Sequence, residues 1–145
     1  EVVHNVLLML QPSIRKSPHQ VINDLQETII METYPGPLEQ VLINLIQNAL
    51  IHAFETQPGS IRITASASDE WVCLRVRDDG KGMAEAIQQR IFEPFFTTRL
   101  GQGGSGLGLS LVHNMVTGVL GGKIRLISQP GQGSEFELTL PRSSE

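Results

Sequence analysis

Residues 38–54 limit what this chain can fold into more than any other stretch. Leu38, Val41, Leu42, Leu45, Ile46, Ala49 and Ala53 recur there at three- and four-residue spacing. That is the pattern of an amphipathic helix with one face that must be covered. Asn44, Asn48 and His52 recur every four residues along the edge of the apolar stripe. They lie one turn apart, each roughly 40° further round the helix. Asparagine is a poor helix former because its amide competes for backbone hydrogen bonds. Two of them and a histidine, placed where the helix meets the core, need partners. Either neighbouring loops satisfy them, or they form a polar rail along the floor of a ligand cleft. Pro35-Gly36-Pro37 starts this helix, with Pro37 suited to its first turn, and Gln57-Pro58-Gly59 ends it.

Two pairs of alternating runs supply a cover for the apolar face. Residues 61–65 and 71–77 read as a hairpin turning at Asp69-Glu70. Residues 123–128 and 135–140 form another, joined by Pro130-Gly131-Gln132-Gly133. Upstream, residues 1–10 predict a short helix ended by Pro12, and 20–25 and 29–34 are extended candidates. A further helix begins after Gly103-Gly104-Ser105-Gly106-Leu107-Gly108. Its apolar positions are Leu109, Val112, Val116, Val119 and Leu120, and Gly121-Gly122 stops it. Between the hairpins, residues 79–106 are glycine-rich and irregular, with one short helix at 84–90; such a long segment reads as a functional lid or as disorder. Hairpins separated by helices predict an α+β two-layer sandwich, a mixed, mostly antiparallel sheet with helices on one face. A doubly wound parallel fold would need strand–helix alternation, which is absent.

At 145 residues and 40% hydrophobic the chain fits one domain, 1–141, followed by a short tail at 142–145. It opens on Glu1 and is expected to be cut from something longer. No apolar run approaches the ~18 residues of a membrane span. Cys73 is the single cysteine, which excludes internal disulfides and fits a reducing, cytoplasmic compartment. It falls on the opposite strand face from Val72, Leu74 and Val76, with no histidine or aspartate near by spacing, and reads as inert. The net charge of −4 is spread over mixed signs, which leaves no electrostatic footprint for nucleic acid.

Chemistry enters at Asp78. It shares the period-two face of Val72, Leu74 and Val76, so a carboxylate arrives at the strand's end on the core side. A buried carboxylate demands a donor. That donor is either an N–H of a ligand or a backbone N–H of the following turn. The glycine loop at 103–108 runs into a helix, where bare N–H groups and the positive end of the helix dipole suit an anion. No strand precedes it and no Gly-Lys-Ser/Thr follows, so neither the dinucleotide fold nor the phosphate-loop fold applies.

Four groups then stand in order: Asn44 to His52; Asp78-Asp79-Gly80-Lys81-Gly82; Ile91-Phe92-Glu93-Pro94-Phe95-Phe96-Thr97-Thr98-Arg99; and the glycine loop. Together they resemble the N, G1, F and G2 boxes of the catalytic ATP-binding domain of sensor histidine kinases, over about residues 20–141. Gyrase, a chaperone and the mismatch-repair ATPases share that superfamily. The resemblance implies that Asp78 accepts from the adenine amino group while Gly80 and Gly82 let the chain pass the base. It implies that Asn48 ligates the magnesium bridging the phosphates of ATP, with Asn44 in support. His52, Thr98 and Arg99 fall in the phosphate region, and Gly104, Ser105, Gly106, Leu107, Gly108 and Leu109 lie over the phosphates. Ser134 matches a hydroxyl that helps hold the water network of the aspartate. Phe92, Phe95 and Phe96 pack in the core, anchor the lid over 83–106, or do both. His113 reads as a surface or capping residue.

The hydrolytic branch of that superfamily places a glutamate one turn before the magnesium asparagine. Here that position is Asn44, a neutral amide that cannot take a proton. Phosphoryl transfer needs chiefly positioning and charge neutralisation. The resemblance therefore implies a kinase transferring to a histidine on a dimerisation domain, with a response regulator receiver domain downstream. Neither His4 nor His19 has the phosphoacceptor pattern, so the acceptor is expected outside this chain, and residues 1–19 read as helix and linker from a dimerisation domain. The alternative is a nucleotide-binding regulator that performs no chemistry. The lid box at 92–98 argues against a serine kinase of the same fold.

Overall fold

Five strands make one sheet, in the order β1-β2-β3-β5-β4. They are β1 (Gln20–Asn23), β2 (Ser60–Ala67), β3 (Trp71–Asp78), β4 (Lys123–Ser128) and β5 (Ser134–Pro141). The computed structural model describes residues 2–16, 20–23, 35–50, 59–93 and 108–142. β1 runs parallel to β2, and every other pairing is antiparallel. The hairpin from β2 to β3 turns over Asp69-Glu70 as its sequence predicts, closed by Ser68 N–H donating to the Trp71 carbonyl at 2.8 Å.

Alternation decides which face of the sheet is covered. Ile61, Ile63, Val72, Leu74, Val76, Phe136, Leu138 and Leu140 are all buried on one side. The intervening residues Arg62, Arg75, Arg77, Lys123, Arg125, Glu135 and Glu137 form the polar face. There Glu137 accepts from both Arg75 and Arg125, each at 3.2 Å. The covering layer consists of α1 (Val2–Lys16), α2 (Pro35–Asn48) and α4 (Gly108–Asn114). α2 contributes Leu38, Val41, Leu42, Leu45, Ile46 and Ala49 to the core. Full burial of one such leucine or isoleucine stabilises by about 1.5–3 kcal/mol. The predicted α+β two-layer sandwich is the observed architecture.

Three elements differ from expectation. The first helix does not end before Pro12 but runs through it to Lys16. Pro12 is exposed, and Val6, Leu10 and Ile14, four residues apart, pack both halves of the helix on the core. That packing outweighs the ~3 kcal/mol a proline costs inside a helix. The second difference follows α4, where Met115–Val119 forms a π-helical turn. Leu120 N–H reaches back to the Met115 carbonyl at 2.9 Å. This wider turn keeps Leu120 buried but rotates Val119 outward, to 52% exposure. Val119 is thus not the core position its spacing predicts. Gly121, at φ 67°, ends the helix in the left-handed conformation that glycine permits. The helix expected at 84–90 narrows to α3 (Glu85–Gln88), with turns continuing to residue 92.

Several sequence expectations fall outside the described residues. These are the extended candidate at 29–34, the end of the Asn-bearing helix with His52, and most of the segment read as a lid, including Phe95 and Phe96.

Candidate functional site

Strand period brings the carboxylate of Asp78 to the core face, where the residue is 5% exposed. Gly80 N–H donates to its Oδ1 at 2.9 Å, and Ser134 N–H donates to the same oxygen at 3.3 Å. One donor comes from the turn after β3 and the other from the first residue of β5, the register partner of Asp78. Oδ2 takes no hydrogen bond among the described residues. Since no fully buried side-chain nitrogen or oxygen among them lacks a partner, Oδ2 keeps an opening. Backbone N–H groups, one of the two donors considered from sequence, therefore take one oxygen and leave the other without a donor among the described residues. Burial pushes the Asp78 carboxyl above the usual aspartate range; the Gly80 and Ser134 N–H groups pull it back, and nearby Asp79 adds to the rise.

The turn after β3 is fixed on both sides. Asp79 turns away from Asp78 and binds Ser60, accepting from its N–H at 2.8 Å and its hydroxyl at 2.9 Å. Gly82, at φ 68°, lies against the β4–β5 turn, where a Cβ would overlap the Gln129 carbonyl. Gly133, at φ 77°, lies against Asp78, whose carbonyl oxygen a Cβ would overlap. Gly131 N–H donates to the Lys81 carbonyl at 2.7 Å and joins the two turns. What Gly82 makes room for in the protein is thus another stretch of backbone.

Asn44 and Asn48 are both half-buried on α2 beside the buried Leu45 and Ala49. Gln40 donates its amide to Asn44 Oδ1 at 2.9 Å from one turn earlier. Among the described residues no three carboxylate, imidazole or thiol groups come together to hold a metal. The Asn48 amide oxygen is a hard, neutral donor of the kind that suits magnesium keeping several waters. Phe92 packs against the core, 5.4 Å from the His113 ring and 6.2 Å, edge-on, from Phe136.

This arrangement has known counterparts. A family model described as histidine kinase-, DNA gyrase B- and HSP90-like ATPase matches residues 33–144. The chain belongs to that family. Among its relatives is the sensor histidine kinase ZraS of Escherichia coli K12, 49% identical over 107 residues, which are 74% of this chain and 22% of ZraS. The chain therefore spans under a quarter of the sensor kinase it matches. The nucleotide-free catalytic domain of histidine kinase ThkA superposes with a TM-score of 0.82 at 31% identity, covering 98% of this chain and 92% of that one. ThkA has also been solved with the response regulator TrrA. Full-length ShkA in complex with AMPPNP gives a TM-score of 0.83 at 30% identity, covering 97% of this chain and 29% of ShkA.

Within this ATPase family member, the structure joins Asp78, Gly80, Gly82 and Ser134 through two interlocked turns. Asn44 and Asn48 stand on α2, which packs against α4, the helix opened by Gly108. Leu109 has its side chain in the core. His52, Thr98, Arg99, Gly104, Ser105, Gly106 and Leu107 lie outside the described residues. Gly133 and Asp79 are the positions that sequence reasoning passed over. Gly131-Gln132-Gly133 offered a signal for the first, since two glycines so close in one turn mark positive φ. Cys73 sits half-buried on the polar sheet face; burial raises its thiol, Arg75 opposes this, and the thiolate is disfavoured.

Proposed function

We propose that the chain binds MgATP and donates the γ-phosphoryl group to a histidine on a separate dimerisation domain, as the cytoplasmic catalytic part of a two-component sensor kinase. The observation that carries this reading is the carboxylate of Asp78, held through Oδ1 by two backbone N–H groups with Oδ2 left open. An exocyclic adenine amino group is a donor of matching polarity. Asn48, supported by Asn44, provides a neutral oxygen for magnesium, which neutralises phosphate charge when bound. Gly80 and Gly82 shape the turn beside the base, and the Ser134 hydroxyl borders the carboxylate. The loop from Gly104 to Gly108, together with His52, Thr98 and Arg99, borders the phosphates, and Leu109 meets them through backbone alone because its side chain is in the core.

Asn44 supports a kinase over a hydrolase. Its amide cannot act as general base, and its oxygen already accepts from Gln40. What remains is positioning for an external nucleophile. Relatives support the kinase reading, since ThkA is a histidine kinase solved with a response regulator, and ShkA, solved with AMPPNP, supports the nucleotide. The test supplies a separate dimerisation domain and γ-labelled MgATP. Acid-labile, alkali-stable label on that domain's histidine is the expected result; nucleotide binding with no transfer would replace the kinase by a nucleotide-sensing regulator.

A further inference from the structure

We propose that Ser128 is a positioning residue for base recognition: its hydroxyl fastens together the two turns whose N–H groups hold Asp78 Oδ1. This rests on the adenine role proposed for Asp78. Ser128 ends β4 and is half-buried. Its Oγ accepts from Met83 N–H at 2.9 Å. The same oxygen lies 2.9 Å from the Gly133 carbonyl and 2.9 Å from Ser134 Oγ. Met83 closes the turn that begins at Asp78 and includes Gly80. Gly133 and Ser134 close the turn that brings the second donor. One side chain therefore touches both arms of the clasp.

The hydroxyl has a single hydrogen, which links the two serines. If Ser128 donates to the Gly133 carbonyl, Ser134 must donate to Ser128 for their contact to hold. If Ser128 donates to Ser134 instead, the Ser134 hydrogen is released for another acceptor. In both cases Ser128 sets what the Ser134 hydroxyl presents beside the carboxylate. Gln88 on α3 completes the ring, its amide donating to the Met83 carbonyl at 2.7 Å and to the Ser128 carbonyl at 3.1 Å. At Gly82 and Gly133 the chain meets neighbouring backbone directly, with no Cβ at either glycine to absorb a shift. Removing the hydroxyl leaves Met83 N–H without its acceptor and lets the turns separate, moving the donors away from Oδ1.

Titration of the chain with MgATP and MgITP separates positioning from plain turn stability. ITP carries a carbonyl oxygen where ATP has its amino group, so it lacks the donor assigned to Asp78. The wild type should prefer ATP. Ser128→Ala should weaken ATP about tenfold while leaving ITP nearly unchanged, the scale of one misplaced charge-assisted hydrogen bond. Ser128→Thr, which keeps the hydroxyl, should restore the preference. An undiminished preference in folded Ser128→Ala, or equal weakening of both nucleotides, would overturn the positioning role while the adenine reading stands. A wild type with no preference for ATP would overturn both. If Ser128→Ala does not fold, Gln88→Ala carries the same comparison: a preference reduced several-fold supports the ring, and an unchanged one overturns it.

Discussion

Asp78 carries opposed demands, because its burial raises the carboxyl while binding requires the ionised form. A raised folded-state value means the folded chain holds this proton more tightly than the unfolded chain does. The group's contribution to stability is therefore complete below the unfolded aspartate value of ~3.9 and is lost as pH rises through the raised folded value. Recognition of the adenine amino group runs the other way, growing as the carboxylate ionises. The preference for MgATP over MgITP should accordingly decay on acidification, starting above the ordinary aspartate range. Comparing the two nucleotides cancels the titration of their phosphates. A preference that holds unchanged down to the ordinary aspartate range would contradict this account of Asp78.

At the scale of elements, two glycines in the β4–β5 turn make a matched pair. Gly131 has φ 80° and open space around it, whereas Gly133 has φ 77° and faces the Asp78 carbonyl. Gly131→Ala should cost the ~1–2 kcal/mol of a left-handed side-chain-bearing residue. Gly133→Ala should cost clearly more and also weaken MgATP, since the Asp78 backbone must move. Urea midpoints read the first difference and calorimetry the second; equal costs with intact binding would mean the close approach has no consequence. The strands were legible because period two is a local signal, and the same count placed Asp78 on the buried face. The course of α1 through Pro12 was not legible, because the contacts of Val6, Leu10 and Ile14 that override the proline are tertiary. Nor was the π turn, whose extra residue breaks the 3.6 period and turns Val119 to solvent. Ser128 carries no signal of its own, since its partners Met83, Gly133 and Gln88 come from separate segments.

Across the whole molecule, a one-sided sheet and a helical layer bring the end of β3, the start of β5 and the polar edge of α2 into one domain. No helix among the described residues is long and apolar enough to cross a membrane. The four ordered boxes were legible because each is a run of residue types with its own chemistry, and the family match over residues 33–144 agrees with them. The interlock of the two turns was not legible, because it depends on backbone approach rather than on side-chain type. The adenine role of Asp78 is the central claim, and titration of wild type and Asp78→Asn with MgATP at neutral pH tests it most directly. Asparagine keeps an acceptor for Gly80 and Ser134 but presents no second carboxylate oxygen and relieves a buried charge. The substituted chain should melt no lower than wild type and lose about 1.5–3 kcal/mol of binding free energy, the range for a hydrogen bond to a charged group. A folded Asp78→Asn chain that binds MgATP as tightly as wild type would contradict the account.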